Sequence, residues 1–175
     1  MFGRKRLAAT LTLALAACSF AFAAPPRLQS LYERMGGHPT LEAIARDLIA
    51  RVLADPRVSR KFARTLLPRF ETRLVEQLCH VTGGPCRDLP RSMEAAHHRM
   101  NVTDGEFDAV VEDLTAALRK YRVPATEALE LLARLAPLRK QIVEVKSPET
   151  GTPLPPYFEA AGPLGYPERI TPEKR

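Results

Sequence analysis

The sequence predicts an all-α protein built as one domain. Leu and Ala recur throughout the 175 residues, aromatic residues make up only 6%, and Trp is absent. Runs of β-branched residues, which favour strands, are few. Hydrophobic residues form 45% of the chain, enough for one core. Apolar positions also repeat at steps of three and four residues, which is the period of amphipathic helices.

Residues 1–24 have the pattern of an export signal. Arg4-Lys5-Arg6 precedes an apolar run over residues 7–17, and small residues follow. Two processing sites stay open: Ala21-Phe22-Ala23 is an A-x-A site, and Leu15-Ala16-Ala17-Cys18 resembles a bacterial lipobox. We therefore expect an exported protein that is either periplasmic or anchored to the cell envelope through a lipid on Cys18.

The charge of the chain gives no sign of a nucleic-acid partner. Arg4, Lys5 and Arg6 carry three of the six net positive charges, so the chain without its signal carries +3. The remaining basic residues are scattered, with few aromatic residues between them, unlike a nucleic-acid-binding surface. Outside the signal, no stretch approaches the roughly 20 apolar residues of a membrane span. We expect membrane attachment only through the lipid anchor.

Amphipathic helices account for most of residues 28–146, which we interpret as one domain. The clearest is the helix over residues 40–54, where Leu41, Ile44, Leu48 and Val52 share one face and Pro56 follows the end. The other helices are expected over residues 28–37, 58–67, 68–81 and 91–103, and from residues 104 and 124 onwards. In the helix over 68–81, the residues expected to face inward are Phe70, Leu74, Gln77, Leu78 and Val81. In the last helix they are Leu129, Leu132, Leu135, Ala136 and Ile142.

Local signals set several helix boundaries. Gly36-Gly37 should stop the first helix, and Pro68 suits the first turn of another. Thr103 and Glu106 have the spacing of a capping box, so a helix should begin there. Pro137 should kink the last helix or end its first half, because it lacks a backbone N–H.

Residues 147–175 differ in composition from the domain. They hold seven of the sixteen prolines and show no apolar period. We expect a tail that is extended or disordered. A segment that docks on the domain or on a partner is the alternative, because Tyr157 and Phe158 would gain from burial.

Cys79 and Cys86 are the two cysteines outside the signal. Within one unbroken helix their α-carbons would lie about 10.5 Å apart, too far for a disulfide. Gly83-Gly84-Pro85 ends the helix between them and lets the chain fold back. A disulfide, favoured by export to an oxidising compartment, and two free thiols both stay open.

The segment Arg91–Thr103 carries the clearest chemical signal. If it is helical, Met93, Ala96, His97 and Met100 share one face. An imidazole among soft apolar side chains, without a second ligand nearby in sequence, suits one axial position of a haem iron better than zinc. A core histidine with satisfied nitrogens is the alternative.

The other histidines are expected in different roles. His38 is placed in a turn outside the helices. His80 is near the end of a helix, where it meets the negative end of the helix dipole. His98 lies about 100° from His97 around the helix, on a more polar face. His97 is therefore the candidate iron ligand.

Taken in order, these pieces resemble the truncated haemoglobins, group I in particular, over residues 30–145. The resemblance rests on Leu31-Tyr32…Gly36-Gly37, Arg51-Val52-Leu53-Ala54-Asp55-Pro56, Phe62, Gly83-Gly84-Pro85, Met93-x-x-x-His97 and Val102-Thr103-x-x-x-Phe107. It implies a two-over-two helical sandwich around haem b. By the same resemblance His97 is the proximal iron ligand and Phe62 packs on the haem face.

The resemblance also implies the remaining haem contacts. They are Ile49, Phe70, Leu74, Met93, Met100, Val102, Phe107 and Val110. Ile49 and Leu74 stand where many group I members have a tyrosine and a glutamine, so the distal side is expected to be apolar. Lost hydrogen-bond donors remove about 1–3 kcal/mol from bound dioxygen, so tight oxygen storage is not expected. Arg69 or Arg73 is expected at a haem propionate, or simply solvated.

Three functions stay open at this point. The first is binding of a diatomic gas, O2, NO or CO, at the open iron position, in a role such as oxygen transport. Any enzymatic role would then be NO dioxygenase-like or peroxidase-like, with a reductase or electron donor as partner. The second is haem carriage or electron transfer at the cell envelope. The third is a haem-free helical binding module. Asp88-Leu89-Pro90 also replaces the usual Tyr-Thr-Gly before the His97 helix.

Overall fold

A computed structural model describes residues 28–86 and 91–160, without the side chains of residues 159 and 160. The expected export signal, Cys18 and the Asp88-Leu89-Pro90 segment lie outside the described residues, as do residues 161–175. None of the described helices is long and apolar enough to cross a membrane.

The described chain is helical, which confirms the all-α prediction. Its pairing of β type is one isolated bridge between Thr103 and Val145. The expected helix over 58–67 is instead a 3₁₀ turn, Ser59–Phe62, and a second 3₁₀ turn is Ala136–Leu138. The α-helices are α1 Leu31–Arg34, α2 Gly37–Ala54, α3 Leu67–Thr82, α4 Met93–His97, α5 Asp104–Lys120, α6 Ala125–Leu135, α7 Arg139–Ile142 and α8 Pro156–Ala160.

Helix α2 begins three residues earlier than the sequence predicts. Gly36, with φ of 94°, turns the chain between α1 and α2, and α2 then starts at Gly37 rather than at Thr40. His38 therefore lies in the first helical turn and not in a loop, and its Nε2 atom lies 3.4 Å from the Glu42 carboxylate. This i, i+4 pairing is a contact that only helical backbone brings together.

The core forms where α2 packs against α3 and α5. The α2 face predicted from spacing is buried, and its innermost residues are Leu41, Ile44 and Ala45. Each buried Leu or Ile stabilises the fold by roughly 1.5–3 kcal/mol. Helix α6 follows the prediction in part: Leu132 and Leu135 pack against the core, but Leu131 is buried as well, while Leu129, predicted to face inward, is exposed. The apolar stripe of α6 follows its contacts with α1, α3 and α5.

Other boundary predictions are confirmed by the backbone. Thr103 and Glu106 form a reciprocal capping box at the start of α5. Gly83, with φ of 76°, caps the end of α3. Pro137 lies in the 3₁₀ turn that separates α6 from α7, so the last helix is divided where the missing N–H predicts.

Cys79 and Cys86 form a disulfide, which decides between the two alternatives left by the sequence. Their α-carbons lie 6.0 Å apart because the chain reverses after α3. Gly84 is needed in this turn, since a Cβ there would lie 2.7 Å from the Cys79 sulfur and 2.5 Å from the Tyr32 ring. Closing so small a loop stabilises the fold by about 2.5 kcal/mol in the chain-entropy estimate.

The described part of the tail lies against the domain. Residues 147–155 form no regular secondary structure, and Leu154 is buried. The backbone N–H of Gly151 donates to the Arg57 carbonyl at 2.5 Å, and the Thr103 hydroxyl donates to the Glu149 carbonyl at 2.5 Å. The tail therefore docks beside the start of α5.

Candidate functional site

A cavity of about 580 Å³ is the candidate site. Its volume is within the range of small-molecule and cofactor sites. Residues of α2 and α3 form one part of its wall, and residues of α4 and α5 form another. The cavity thus lies where the helices leave a gap in the core.

Most of the predicted haem contacts line this cavity. They are Phe62, Phe70, Leu74, Met93, Met100, Val102, Phe107 and Val110, together with His97. Ile49 does not line it: the residue is buried, at 8% exposure, but Leu48 and Val52 occupy the α2 part of the wall. Successive helical residues point about 100° apart, so a wall through Leu48 and Val52 leaves Ile49 on the adjoining face.

His97 is presented to the cavity at the last position of α4. Ser92 caps the start of the helix, and its hydroxyl accepts a hydrogen bond from the Ala95 N–H at 3.1 Å. Nδ1 of His97 lies 2.8 Å from the Met93 carbonyl oxygen, so it carries the proton and donates. The lone pair then resides on Nε2. Burial lowers the pKa of His97 against the opposing effect of the Met93 hydrogen bond, which favours the neutral ring that a metal requires.

The single helical face predicted for Met93 to Met100 is interrupted at His97. The helix ends there, and Met100 returns to the cavity through a turn in which its N–H donates to the His97 carbonyl at 3.0 Å. Arg99 and Asn101 have φ of 64° and 53°, which is strained for residues other than glycine. His98 is exposed, with Nδ1 3.9 Å from the Glu144 carboxylate, as expected for a residue outside the site.

Gln77 lines the cavity, although the sequence predicted only that it faces inward and assigned it no function. It lines the wall with Phe70 and Leu74, and its Oε1 is buried without a hydrogen-bond partner. A buried polar atom without a partner costs about 1–3 kcal/mol. The wall that contains Phe70 and Leu74 was expected to be apolar. It also contains the carboxamide of Gln77, so it is partly polar. Its position seven residues after Phe70, on the same helical face, was the available signal.

A buried ion pair between Lys61 and Glu106 also lines the cavity. The two residues are only 4% and 1% exposed, and Nζ lies 3.4 Å from Oε2. Burial lowers the pKa of Lys61, while the carboxylate of Glu106 opposes that change. The capping-box pattern predicted that Glu106 lies in the first turn of a helix, but it did not predict that the residue is buried. Nothing in the sequence singled out Lys61.

Among the residues that the structure describes, three arginines line the cavity at exposed positions: Arg69, Arg73 and Arg91. Arg73 forms an ion pair with Glu76 at 2.6 Å. Guanidinium groups bind carboxylates with well-defined geometry, so this part of the cavity suits an acidic group on a ligand. The sequence offered Arg69 or Arg73 for this role, with simple solvation as the alternative, and did not single out Arg91.

These features together fit haem. One neutral imidazole can supply an axial ligand, and apolar walls suit the porphyrin faces. The Phe62 and Phe70 rings, 5.4 Å apart, add aromatic surface. The three arginines at the exposed part of the cavity suit the two carboxylate groups that haem carries. Within the described ranges, no group of three or more His, Cys, Asp or Glu side chains is arranged to hold a metal ion.

Comparison with known proteins agrees with this fit. The family model described as bacterial-like globin matches residues 30–144. Group 1 truncated hemoglobin GlbN of Mycolicibacterium paratuberculosis is 34% identical over 113 residues, which are 65% of this chain and 83% of that protein. Truncated hemoglobin from Tetrahymena pyriformis, solved in the Fe(III) form, superposes with a TM-score of 0.64 at 30% identity. That match covers 66% of this chain and 98% of the other.

The 2/2 hemoglobin from Synechococcus sp. PCC 7002, solved in the cyanomet state with covalently attached heme, is also similar. Its TM-score is 0.63 at 29% identity, and the match covers 66% of this chain and 98% of that one. The two-over-two helical arrangement predicted for this chain is therefore confirmed. The matched region ends before the docked tail.

Proposed function

The chain belongs to the bacterial-like globin family, and on that premise we propose that it binds haem b in this cavity and takes a diatomic gas, O2, NO or CO, at the open iron position. The observation that carries the proposal is the placement of His97. Its Nδ1 donates a hydrogen bond to the Met93 carbonyl, so Nε2 is the nitrogen that can bind iron. The residue lines a cavity of about 580 Å³. The haem-free alternative is not retained, because the cavity fits haem and the family assignment supports it.

The chain's own residues determine how the site behaves. His97 would hold the haem iron through Nε2, and the apolar wall would keep water away from it. Haem would supply an iron that can take a small ligand. Arg69, Arg73 and Arg91, which are exposed, would bind the haem carboxylates. A NO dioxygenase-like or peroxidase-like activity would additionally require an electron donor.

Haem carriage or electron transfer is the second candidate function. The apolar side chains of Phe70 and Leu74 favour it, because they offer no hydrogen bond to a bound gas. Gln77 favours gas binding, because its side-chain N–H groups can donate a hydrogen bond to a bound gas, which the neighbouring Phe70 and Leu74 side chains cannot do. Rotation of the amide about its last bond brings either the N–H or the carbonyl oxygen inward.

Gas binding to the reconstituted protein tests the proposal. We expect the reduced wild-type protein to bind CO with a change in the visible absorption, because His97 would bind the iron from one side only and the other side would accept the gas. Replacing Gln77 with Leu should raise the C–O stretching frequency and speed oxygen dissociation about 10-fold, the value of one hydrogen bond of roughly 1.4 kcal/mol. Infrared spectroscopy and stopped-flow kinetics measure the two effects.

The matched control is Gln141→Leu, which changes an exposed glutamine outside the cavity. It should leave both measurements unchanged. A protein that binds haem but shows no response to CO, O2 or NO would reject gas binding in favour of haem carriage. An unchanged stretching frequency in Gln77→Leu would reject only the contact of Gln77 with the ligand.

We further propose that the protein is exported. The basic and apolar pattern of residues 1–24 supports this, and so does the Cys79–Cys86 disulfide, since disulfides persist in oxidising compartments. The mass of the protein purified from its host distinguishes the products. A chain starting at Ala24 indicates A-x-A cleavage, and a lipid-modified Cys18 indicates an envelope anchor. A chain that retains residues 1–17 would reject export.

A further inference from the structure

The proximal loop, residues 98–102, connects the candidate ligand His97 to α5. Two side chains from distant parts of the sequence hold its backbone. The Lys61 ammonium donates to the carbonyls of Met100 at 2.9 Å and Asn101 at 3.1 Å. The Glu144 carboxylate accepts from the backbone N–H groups of Arg99 and Asn101, both at 2.6 Å. Both N–H groups and carbonyl groups of the loop backbone are thus hydrogen-bonded to side chains from other parts of the chain.

The proximal loop needs such support. Helix α4 has five residues, too few to be stable without tertiary contacts. Arg99 and Asn101 both hold positive φ angles, which persist only where the surroundings impose them. The orientation of His97 therefore depends on groups outside its own helix.

Lys61 is itself held by the docked tail. Its ammonium lies 3.4 Å from the Pro153 carbonyl and 3.4 Å from the Glu106 carboxylate. The other oxygen of Glu106 accepts from the backbone N–H of Thr152 at 2.8 Å and from its hydroxyl at 2.7 Å. The tail thus supplies partners to both members of the buried ion pair.

The tail also reaches the proximal loop directly. The Tyr157 hydroxyl donates to the Arg99 carbonyl, and the Arg99 guanidinium lies 4.3 Å from the centre of the Tyr157 ring. Arg60 anchors the tail further by donating to the Gly151 carbonyl at 3.1 Å. We name residues 147–158 the strap, since they extend from α5 across Lys61 to the proximal loop.

We propose that Lys61 and the strap are positioning elements that fix the direction of the His97 imidazole and so set the strength of its bond to the haem iron. The strap lies beyond residue 144, where the family match ends, so it is a feature that the family assignment does not supply. The inference rests on the proposed function for its consequence at the iron. Groups that orient a metal ligand are typically worth 10–100-fold in affinity.

Two truncations test the strap. A chain ending at Lys146 lacks the strap, and a control chain ending at Ala160 keeps it and lacks only residues 161–175. We expect haem to dissociate about 10–100-fold faster from the shorter chain and at the wild-type rate from the control. In the haem-free proteins, amide hydrogen exchange at Arg99 and Asn101 should be faster only in the shorter chain. Equal dissociation and equal exchange would overturn the proposal.

Point variants test Lys61 without changing the length of the chain. Lys61→Met retains the length of the side chain and removes its hydrogen bonds, so it should shift the iron–histidine stretching frequency in resonance Raman spectra. Lys61→Arg should restore the frequency in part, because it can still donate to the loop carbonyls. Identical frequencies in all three proteins would overturn the role of Lys61. Failure of the wild-type protein to take up haem would instead overturn the proposed function.

Discussion

Replacing His97 with Ala should abolish axial ligation by the protein and lower haem affinity by more than about 100-fold, because even groups that only orient a metal ligand are worth 10–100-fold. His97 is the imidazole on the cavity wall, with its Nδ1 held by the Met93 carbonyl. Titration of the apoprotein with haem, followed by the Soret absorption, measures the loss. Added imidazole should restore the spectrum, since it can enter the space left by the ring.

His98→Ala is the matched control for this experiment. The His98 side chain is 69% exposed and does not line the cavity. Its loss should leave haem affinity and the Soret band unchanged, as should the loss of the exposed His80. If His98→Ala or His80→Ala removed the Soret band while His97→Ala kept it, His97 would not be the ligand.

Replacing Glu106 with Ala should destabilise the haem-free protein by about 3–5 kcal/mol, the usual cost of removing one partner of a buried ion pair. The Lys61 ammonium, at 4% exposure, would lose its carboxylate. The N–H of Thr103 and both donors of Thr152 would lose their acceptor as well. Urea denaturation followed by circular dichroism measures the free energy of unfolding.

Glu112→Ala provides the comparison within the same helix. Glu112 forms an ion pair with Arg57 at 2.6 Å, but its side chain is 64% exposed. Water already solvates such a pair, so its removal should have little effect on stability. If the two glutamate variants had the same free energy of unfolding, the buried pair would not be a main contributor to the fold.

Local sequence signals predicted the helices because their causes are local. The spacing of Leu41, Ile44, Leu48 and Val52 determines which face of α2 is apolar, whatever it packs against. The capping box at Thr103 and the break at Pro137 likewise act within a few residues. Spacing was less informative in α6, where the stripe buried against neighbouring helices passes through Leu131 and not Leu129.

The site was predicted in part for the same reason. The Met93-to-His97 spacing and the resemblance to truncated haemoglobins indicated His97 and most of the apolar contacts from sequence alone. The assignment of Ile49 was carried over by position, and a helical rotation of one residue was enough to take it off the wall. Gln77 was visible on the inward face, but its unpartnered oxygen was not.

The sequence by itself determined an all-α chain, several of its helix boundaries, the single imidazole on a soft apolar face and the expectation of haem. Tertiary structure alone decided that Cys79 and Cys86 are paired and that Lys61, Glu106 and the strap meet beside the proximal loop. Helix formation and capping depend on residues three or four positions apart, so the sequence displays them directly. The contacts of Lys61 join residues 39–92 positions apart, and only the packed fold brings such residues together.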